Sequence, residues 1–466
     1  MTEYRVEHDL LGERNVPADA YYGVHTLRAK ENFQISGVSI SKFPYLISAL
    51  ASIKQAAAEA NYQLGLLSKE RRDAIESACI EIREGRLHDQ FVVDIIQGGA
   101  GTSTNMNANE VICNRALEIL GHERGQYDFL HPNEHVNLAQ STNDVYPTAL
   151  RIATSFAIEH LIEAMGRLHD AFEEKAVEFA GLLKLGRTQL QDAVPMTLGL
   201  EFSAFATMVE EDMARLKEAD ALIREINLGA TAIGTGINSH PEYAGRAVET
   251  LKRITGIDLS IAPNLIEATQ DCGAFVQISG VLKRIAVKLS KTCNDLRLLA
   301  SGPRAGFGEI NLPPMQAGSS IMPGKVNPVI PEVVNQVAFE VFGNDITVTF
   351  AAEAGQLQLN AFEPIIAASL FRSFNHLTAA SVTLADKCVK GITANPERMR
   401  EAVERSTSLA TALNPYIGYK LATSVAREAH ETGATVRQVV LSKQLMTSEK
   451  LDEALRPDAL IKPRVY

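Results

Sequence analysis

The sequence predicts an all-α protein built around a bundle of long helices. Four proline-free stretches leave room for helices of about 30 residues, since proline breaks a helix interior. Apolar residues within them recur at helical spacing, and no alternating apolar–polar run is longer than a few residues. We therefore expect a long central bundle over residues 145–395. A smaller N-terminal domain over residues 1–144 and a smaller C-terminal helical domain over residues 396–466 should flank it.

The first three long helices are each predicted by an amphipathic pattern. Apolar residues fall at i, i+3, i+4 and i+7 in the stretches that contain Ile158, Phe202 and Phe275. The fourth stretch, VVNQVAFEVFGNDITVTFAAEAG, is apolar nearly all round, so we expect a buried helix there. Helices of about 30 residues run to roughly 45 Å, too long for one compact domain to cover on every side. We expect them to pack against copies of the same chain.

The C-terminal portion predicts short helices. From ITANPERMREAVERS onward, apolar spacing in SLATALNPYIGYKLA and TVRQVVLSKQL is helical over short runs only. Asn395 precedes a proline, which disfavours the helical conformation at that residue. We place the boundary of the last domain there.

Composition excludes several classes of protein. The 466 residues carry 45 Lys and Arg against 56 Asp and Glu, a net charge of −11, which opposes binding to nucleic acid or an anionic membrane. Hydrophobic residues make up 46% and charged residues 22%, as in ordinary globular proteins. Charges interrupt the apolar stretches, as Lys54 does in YLISALASIKQAAAEA, so we expect no membrane span. The first residues are charged throughout, unlike a signal peptide, and we expect a cytoplasmic protein.

Cysteines and histidines predict neither a disulfide framework nor a metal site. The five cysteines include no CxxC pair. His131 and His135 are four residues apart, but the proline that follows His131 favours a loop over a metal-binding helix.

Two polar segments stand directly before expected helices. The first, QGGAGTSTNMNANE (97–110), offers a helix start of the kind that binds a carboxylate, and the alternative is a flexible turn with an N-cap. The second, QSTNDVYPTA (140–149), fits a capping sequence and a lining for a polar substrate equally well. The candidate residues in these segments are Thr102, Ser141, Thr142 and Asn143.

Two further segments join the long helices. LGRTQLQDAVP (185–195) predicts a glycine turn, where Arg187 is either a surface charge or a carboxylate ligand. AGSSIMPGKVNPVIPEVVNQ (317–336) is a long loop, because its glycines and prolines forbid a regular helix. Such a loop inside a helical protein is usually functional or disordered, and we expect Ile321, Met322 and Val326 to pin it.

These four segments carry a family resemblance. GSSIMPGKVNP resembles the signature of the superfamily that holds fumarase, aspartase, argininosuccinate lyase and adenylosuccinate lyase. GGAGTSTNMNANE, QSTND and GRTQLQDAVP resemble the other blocks of its fumarase and aspartase branch, in the same order. The resemblance extends from DLLGERNVPADAYYGVHTLRAKENF to the C-terminal domain. Segments such as INLGATAIGTGIN, ASGPRAGFGEINLP and AAEAGQLQLN are most similar to the aspartases, and the fumarases are the alternative.

The resemblance implies an activity and an assembly. The activity is the reversible deamination of L-aspartate to fumarate and ammonia, in which loss of the C3 proton forms an enediolate; hydration of fumarate is the alternative. The assembly is a homotetramer with a twenty-helix core, in which each active site draws residues from three subunits. The implied substrate is a small dicarboxylate and no organic cofactor is implied. Some aspartases respond to Mg²⁺, and this sequence shows no ligand cluster for it.

The resemblance also assigns residues, position by position. Ser319 would be the general base, which the backbone N–H groups of its loop and Lys325 must stabilise as an alkoxide. The expected substrate-binding residues are Thr102, Ser141, Thr142, Asn143, Thr188, Gln189, Lys325 and Asn327.

Gln189 separates the two activities. Fumarases carry histidine at this position, paired with a glutamate that here would be Glu332. A departing hydroxyl needs a proton donor, whereas an ammonium group already carries its protons, so glutamine favours deamination. Leu200 also departs from the family pattern, GLEF for GQEF, and we attach no function to it.

Overall fold

The computed structural model describes residues 3–462, most of which are helical. The helices are α1 (Val24–Asn32), α2 (Pro44–Gln63), α3 (Lys69–Arg83), α4 (Thr102–Ile119), α5 (Thr142–Glu178), α6 (Leu198–Asp220), α7 (Tyr243–Thr255), α8 (Leu265–Ala268), α9 (Gly273–Leu299), α10 (Val329–Glu353), α11 (Glu363–Lys387), α12 (Pro396–Arg405), α13 (Asn414–Ile417), α14 (Tyr419–Thr432), α15 (Val436–Ser442), α16 (Ser448–Ala454) and α17 (Pro457–Ile461). The expected all-α class is confirmed.

Strands occur only in small pairs over the described part of the chain. They are β1 (Tyr4–Asp9), β2 (Gly12–Pro17), β3 (Leu183–Thr188), β4 (Gln191–Thr197), β5 (Glu225–Ile226), β6 (Ser260–Ile261), β7 (Ile310–Asn311) and β8 (Thr393–Ala394). Strands β5 and β6 pair in parallel, and the other three pairs are antiparallel.

The long helices follow the proline-free stretches. Helices α5, α6, α9 and α10 occupy the four stretches that the apolar spacing singled out. Helix α11 is a fifth long helix, which that pattern did not single out. Its second residue is Pro364. The missing backbone N–H costs nothing there, because the N–H groups of the first helical turn have no acceptor within the helix.

The start of α5 corrects one sequence-based expectation. The sequence predicted the start of the bundle at residue 145, yet α5 begins at Thr142 and Pro147 lies inside it. Proline has no N–H to donate to the carbonyl four residues earlier, which belongs to Asn143. The side chain of Asn227 supplies the missing donor, at 2.9 Å from the Asn143 oxygen. A distant side chain therefore allows the helix to contain its proline.

The chain forms two compact units. The first comprises the chain up to Ile162, Ala214–Arg284 and Phe339–Leu377, and in it α2 packs against α3 and α7. The second comprises Glu163–Met213, Ile285–Ala338 and the chain from Thr378 onward. The C-terminal helices of this second unit enclose an apolar cluster to which β3 contributes Leu185. The division into domains 1–144, 145–395 and 396–466 stays a prediction.

Helix α10 is buried on one face only. The sequence predicted a buried helix, but its exposed apolar side chains include Phe339 at 60%, Ile346 at 57% and Phe350 at 69%. That expectation is therefore wrong for a single chain. Among the residues that the structure describes, not one helix combines the length and the hydropathy needed to cross a membrane.

Candidate active site

A left-handed glycine turn leads into α4. Gly101 has φ of +88°, and a Cβ there would lie 2.4 Å from the ring of Tyr146, so only glycine fits. Thr102 is the first residue of α4, and its hydroxyl donates to the carbonyl of Gly99 at 2.7 Å. The segment is thus both a turn and a helix start, and Thr102 stands partly exposed at that start.

The start of α5 lies against α4. Asn105 of α4 donates through Nδ2 to Thr142 Oγ1 at 3.0 Å, which joins the first turns of the two helices. The side chain of Asn143 donates to the carbonyl of Ala232 at 2.7 Å. Ser141, Thr142 and Asn143 are each partly exposed. The structure therefore brings the first and second polar segments together.

Asp144 anchors the second segment. Its carboxylate is fully buried and accepts the backbone N–H groups of Ser141 at 3.0 Å, Gly229 at 3.1 Å and Thr231 at 2.9 Å. Thr231 has φ of +55°, an uncommon conformation for a β-branched residue, and Asp144 holds it there. Burial raises the pKa of Asp144 to about 7. This role was not predicted from the sequence, although an aspartate at the start of an apolar helix was the available signal.

The third segment is a β-hairpin rather than the glycine turn that the sequence predicted. Strands β3 and β4 are antiparallel, and Gln189 and Leu190 form the two-residue loop between them. Both loop residues have positive φ, 54° and 62°, which is the requirement of a type I′ turn. Thr188 and Gln189 are exposed at this tip. The sequence lacked the Asn-Gly signal that usually marks such a hairpin.

A buried ion-pair network fixes the base of the hairpin. Glu309 is 1% exposed and lies 2.6 Å from Arg187 Nη1 and 3.1 Å from Lys184 Nζ. The guanidinium of Arg187 also stacks over Phe307, 4.2 Å from the ring centre. Arg187 therefore has a carboxylate partner within its own chain. Neither Lys184 nor Glu309 was predicted from the sequence to belong to the site.

Hydrogen bonds close the fourth segment into a loop. The Gly318 N–H donates to the Lys325 carbonyl at 2.8 Å, and the Asn327 side chain donates to the Gly318 carbonyl at 2.7 Å. A Cβ at Gly318 would lie 2.6 Å from the Lys325 oxygen, so this closure requires glycine. Ile321 is 84% exposed, and Met322 is also exposed. The expectation that apolar residues pin the loop is wrong, because hydrogen bonds do so.

Ser319 accepts two backbone hydrogen bonds inside this loop. Its Oγ lies 3.1 Å from the N–H of Ile321 and 2.8 Å from the N–H of Met322. Both donors would stabilise negative charge on that oxygen, since hydrogen bonds to charged groups are stronger than neutral ones. Lys325 is exposed in the same loop.

The predicted site residues divide between the two units. Those in the first unit are Thr102, Ser141, Thr142 and Asn143, and those in the second are Thr188, Gln189, Ser319, Lys325 and Asn327. Each is at the start of a helix, at a hairpin tip or in a loop.

The histidines and cysteines were examined as possible metal ligands in the sequence, and the structure describes their surroundings. His131 caps a single π-helical turn, Pro132–Val136, which contains His135, where the sequence predicted a loop. The ring Nδ1 of His135 accepts the backbone N–H of His131 at 2.8 Å. All five cysteines are free and buried. Within residues 3–462, no group of three or more His, Cys, Asp or Glu side chains is placed to hold a metal ion.

The fold and these loops define a lyase. Residues 12–343 match the lyase family model, and residues 409–462 match the model described as the fumarase C C-terminus. The chain belongs to this lyase family, and the resemblance to the fumarase and aspartase superfamily is confirmed.

Several relatives of this chain are aspartate ammonia-lyases. An aspartate ammonia-lyase of Pseudomonas aeruginosa is 59% identical over 99% of this chain and 98% of its own length. Those of Helicobacter pylori and Escherichia coli are 55% identical, over 99% and 98% of this chain and 99% and 96% of theirs.

Solved structures share the fold. A fumarate lyase:delta crystallin protein of Brucella melitensis, bound to cobalt, superposes with a TM-score of 0.96 at 57% identity, covering 99% of this chain and 100% of that one. The class II fumarase of Schistosoma mansoni superposes with a TM-score of 0.91 at 36% identity, covering 97% and 98%.

Proposed function

We propose that the chain is an aspartate ammonia-lyase, which reversibly converts L-aspartate to fumarate and ammonia. Identities of 55–59% to proteins of that name, over nearly the whole chain, support this activity. The structural observation that carries it is the Ser319 hydroxyl, held by two backbone donors in a loop that also presents Lys325. No organic cofactor is part of the proposal.

Ser319 acts as the base in this reaction. As an alkoxide it takes the C3 proton of aspartate, and the electron pair of the broken C–H bond enters the neighbouring carboxylate as an enediolate. When the enediolate collapses, the C2–C3 double bond forms and the C2–N bond breaks, so the nitrogen leaves as ammonia. The N–H groups of Ile321 and Met322 stabilise the alkoxide before the proton moves.

Polar groups fixed in the site stabilise the negative charge of the enediolate. Two carboxylate groups and an additional negative charge are unstable in a site without donors that already point inward. The proposed substrate-binding residues are Thr102, Ser141, Thr142, Asn143, Thr188, Gln189, Lys325 and Asn327. They lie at helix starts, at a hairpin tip and in a loop, which are the usual places for binding residues on a rigid scaffold.

Gln189 favours deamination over the fumarase activity. Malate loses hydroxide unless an acid protonates its oxygen, and a glutamine amide is not an acid. The ammonium group of aspartate needs no such donor.

The active unit is a homotetramer that shares its sites between subunits. One face of α10 carries exposed residues at steps of three and four: Val333, Gln336, Phe339, Gly343, Ile346 and Phe350. This spacing is that of a seam between packed helices, and a single chain leaves it open to water. The protein is cytoplasmic in this proposal, in line with five buried free cysteines.

The test offers aspartate and malate separately to the purified protein and follows the ultraviolet absorbance of the fumarate double bond. Aspartate should give fumarate and an equal amount of ammonia, whereas malate should give little. Comparable turnover of malate would contradict the assignment. Light scattering of the active protein should give four times the mass of one chain, and an active monomer would refute the shared sites.

A further inference from the structure

The structure gives a buried lysine a part in substrate binding. We infer that Lys54 is a positioning residue, which orients the hydroxyl of Thr142 so that it donates its proton to a substrate carboxylate. The inference rests on the proposed function, since it concerns the same site. It is carried by a chain of hydrogen bonds from Lys54 through Asn137 and Asn105 to Thr142.

The series of hydrogen bonds begins at Lys54, in the core of the first unit. Lys54 lies in α2 and is 0% exposed. Its Nζ donates to Asn137 Oδ1 at 2.8 Å and to Gln140 Oε1 at 2.9 Å. A protonated lysine has donors and no acceptor, so both amides must turn their oxygens toward it.

The Asn137 oxygen then fixes two further amides. Asn137 Oδ1 accepts Asn105 Nδ2 at 3.3 Å and Asn109 Nδ2 at 3.2 Å, besides Lys54. The nitrogen of the same amide donates to the Gln140 carbonyl at 3.2 Å, so a flip of Asn137 would break both sets of bonds.

The orientation of Asn105 and Asn109 has a cost. Both residues are buried, and their Oδ1 atoms have no hydrogen-bond partner in the part of the chain that the structure describes. An amide free to choose would turn such an oxygen toward a donor. The shared oxygen of Asn137 therefore imposes the orientation.

Asn105 passes this orientation to Thr142. Its Nδ2 also donates to Thr142 Oγ1 at 3.0 Å, so the threonine oxygen accepts and its own proton must point elsewhere. A carboxylate can only accept, and Thr142 is partly exposed at the start of α5, so its proton is available to the substrate. With Asn105 flipped, Thr142 would donate to the amide oxygen and turn only lone pairs toward the carboxylate.

A double-mutant cycle tests the inference. Lys54→Met should raise KM for aspartate by about tenfold or more, as expected for loss of a hydrogen bond to a charged group, with a smaller effect on kcat. Thr142→Val should raise KM similarly. Adding Lys54→Met to Thr142→Val should change KM little further, because the lysine acts through the threonine. Additive effects on KM would overturn the inference.

Two more variants separate positioning from folding. Lys54→Gln keeps one donor for the Asn137 oxygen, so its KM for aspartate should lie close to that of the wild type. A KM as high as that of Lys54→Met would overturn the inference. Lys175→Met is the matched control: Lys175 is 8% exposed and donates to Glu178 and to the Ile392 carbonyl. It should lower stability without changing KM.

If replacement of Lys54 unfolds the protein, a variant at Asn137 tests the same inference. Asn137→Leu removes the shared acceptor and should match Thr142→Val in KM, again without adding to it. An unchanged KM for Asn137→Leu would overturn the inference. Failure of the proposed function shows differently, as wild-type protein that does not release ammonia from aspartate.

Discussion

Lys184 Nζ lies 3.1 Å from Glu309 Oε2, and each of the two side chains is 2% exposed. The other oxygen of the same carboxylate binds Arg187 at 2.6 Å. One buried carboxylate therefore joins two cations of strand β3 to the chain just before β7. The tip of this hairpin presents Thr188 and Gln189, so the ion pairs hold proposed substrate-binding residues in place.

Glu309→Gln should lower the free energy of unfolding by about 3 kcal/mol, because it removes the carboxylate partner of Arg187 and leaves the buried Lys184 with Glu201 alone. Denaturant unfolding followed by circular dichroism measures the change. The control is Glu178→Gln: Glu178 pairs with Lys175 but is 53% exposed, and it should cost less than about 1 kcal/mol. Equal costs for the two variants would contradict a special role of the buried carboxylate.

Ser319→Ala should reduce turnover by several orders of magnitude and leave aspartate binding and assembly nearly intact, because it removes only proton abstraction. Ser320→Ala should do much less. Lys325→Ala should raise KM and lower kcat together, since its charge faces the substrate before and after the proton leaves. Steady-state kinetics and a direct binding measurement separate these effects. The base is misassigned if Ser320→Ala proves the more damaging serine change.

Gln189→Glu should raise KM for aspartate strongly, because a carboxylate at the hairpin tip repels the substrate carboxylates. Gln444→Glu is a close control, since Gln444 is also exposed and has φ of 51°, against 54° for Gln189. Kinetics at increasing salt should partly relieve the first effect, as screening predicts. A KM unchanged by Gln189→Glu would place Gln189 outside the site.

Glu363→Gln should change the pH dependence of stability. Burial raises the pKa of Glu363 from 4.5 to about 8, against the opposing charge of Arg151. For a raised carboxyl pKa, the folded state holds its proton more tightly, so stability is greatest at low pH and falls as pH rises through that range. Relative to the glutamine variant, the wild type should lose about 1.4 kcal/mol per pH unit between 4.5 and 8. Thermal unfolding of both proteins across that range measures it, and parallel curves would refute it.

Helix periodicity made most of the fold predictable from sequence. Apolar spacing identified four long helices because each buries one face within the chain, and that requirement is local. The start of α5 was not predictable in this way, since the Asn143 carbonyl that Pro147 leaves without a donor accepts one from Asn227, which is distant in sequence. Lys54 was interpreted only as a charge that interrupts an apolar stretch, although that position is fully buried.

The candidate site was predictable where residue types were unusual for helices. The glycine and hydroxyl clusters marked three of the four segments as helix starts or as a loop. The hairpin at Gln189 was not recognised, because its turn uses two residues without the usual preference for positive φ. The anchoring role of Asp144 was not predicted, because its segment was interpreted as a capping sequence or a substrate lining. The ion pairs of Glu309 were not predicted, because nothing in the sequence indicates that this carboxylate is buried.

The hydrogen bonds at the start of α5 can form only late in the synthesis of the chain. Asn143 receives the Asn227 side chain from 84 residues further along the chain, and Asp144 receives Gly229 and Thr231 from 85 and 87 residues further. Translation therefore delivers Ser141, Thr142 and Asn143 well before the groups that hold them. A nascent chain halted before residue 227 should carry this segment unprotected from hydrogen exchange, and the segment should become protected once the ribosome has released the later residues.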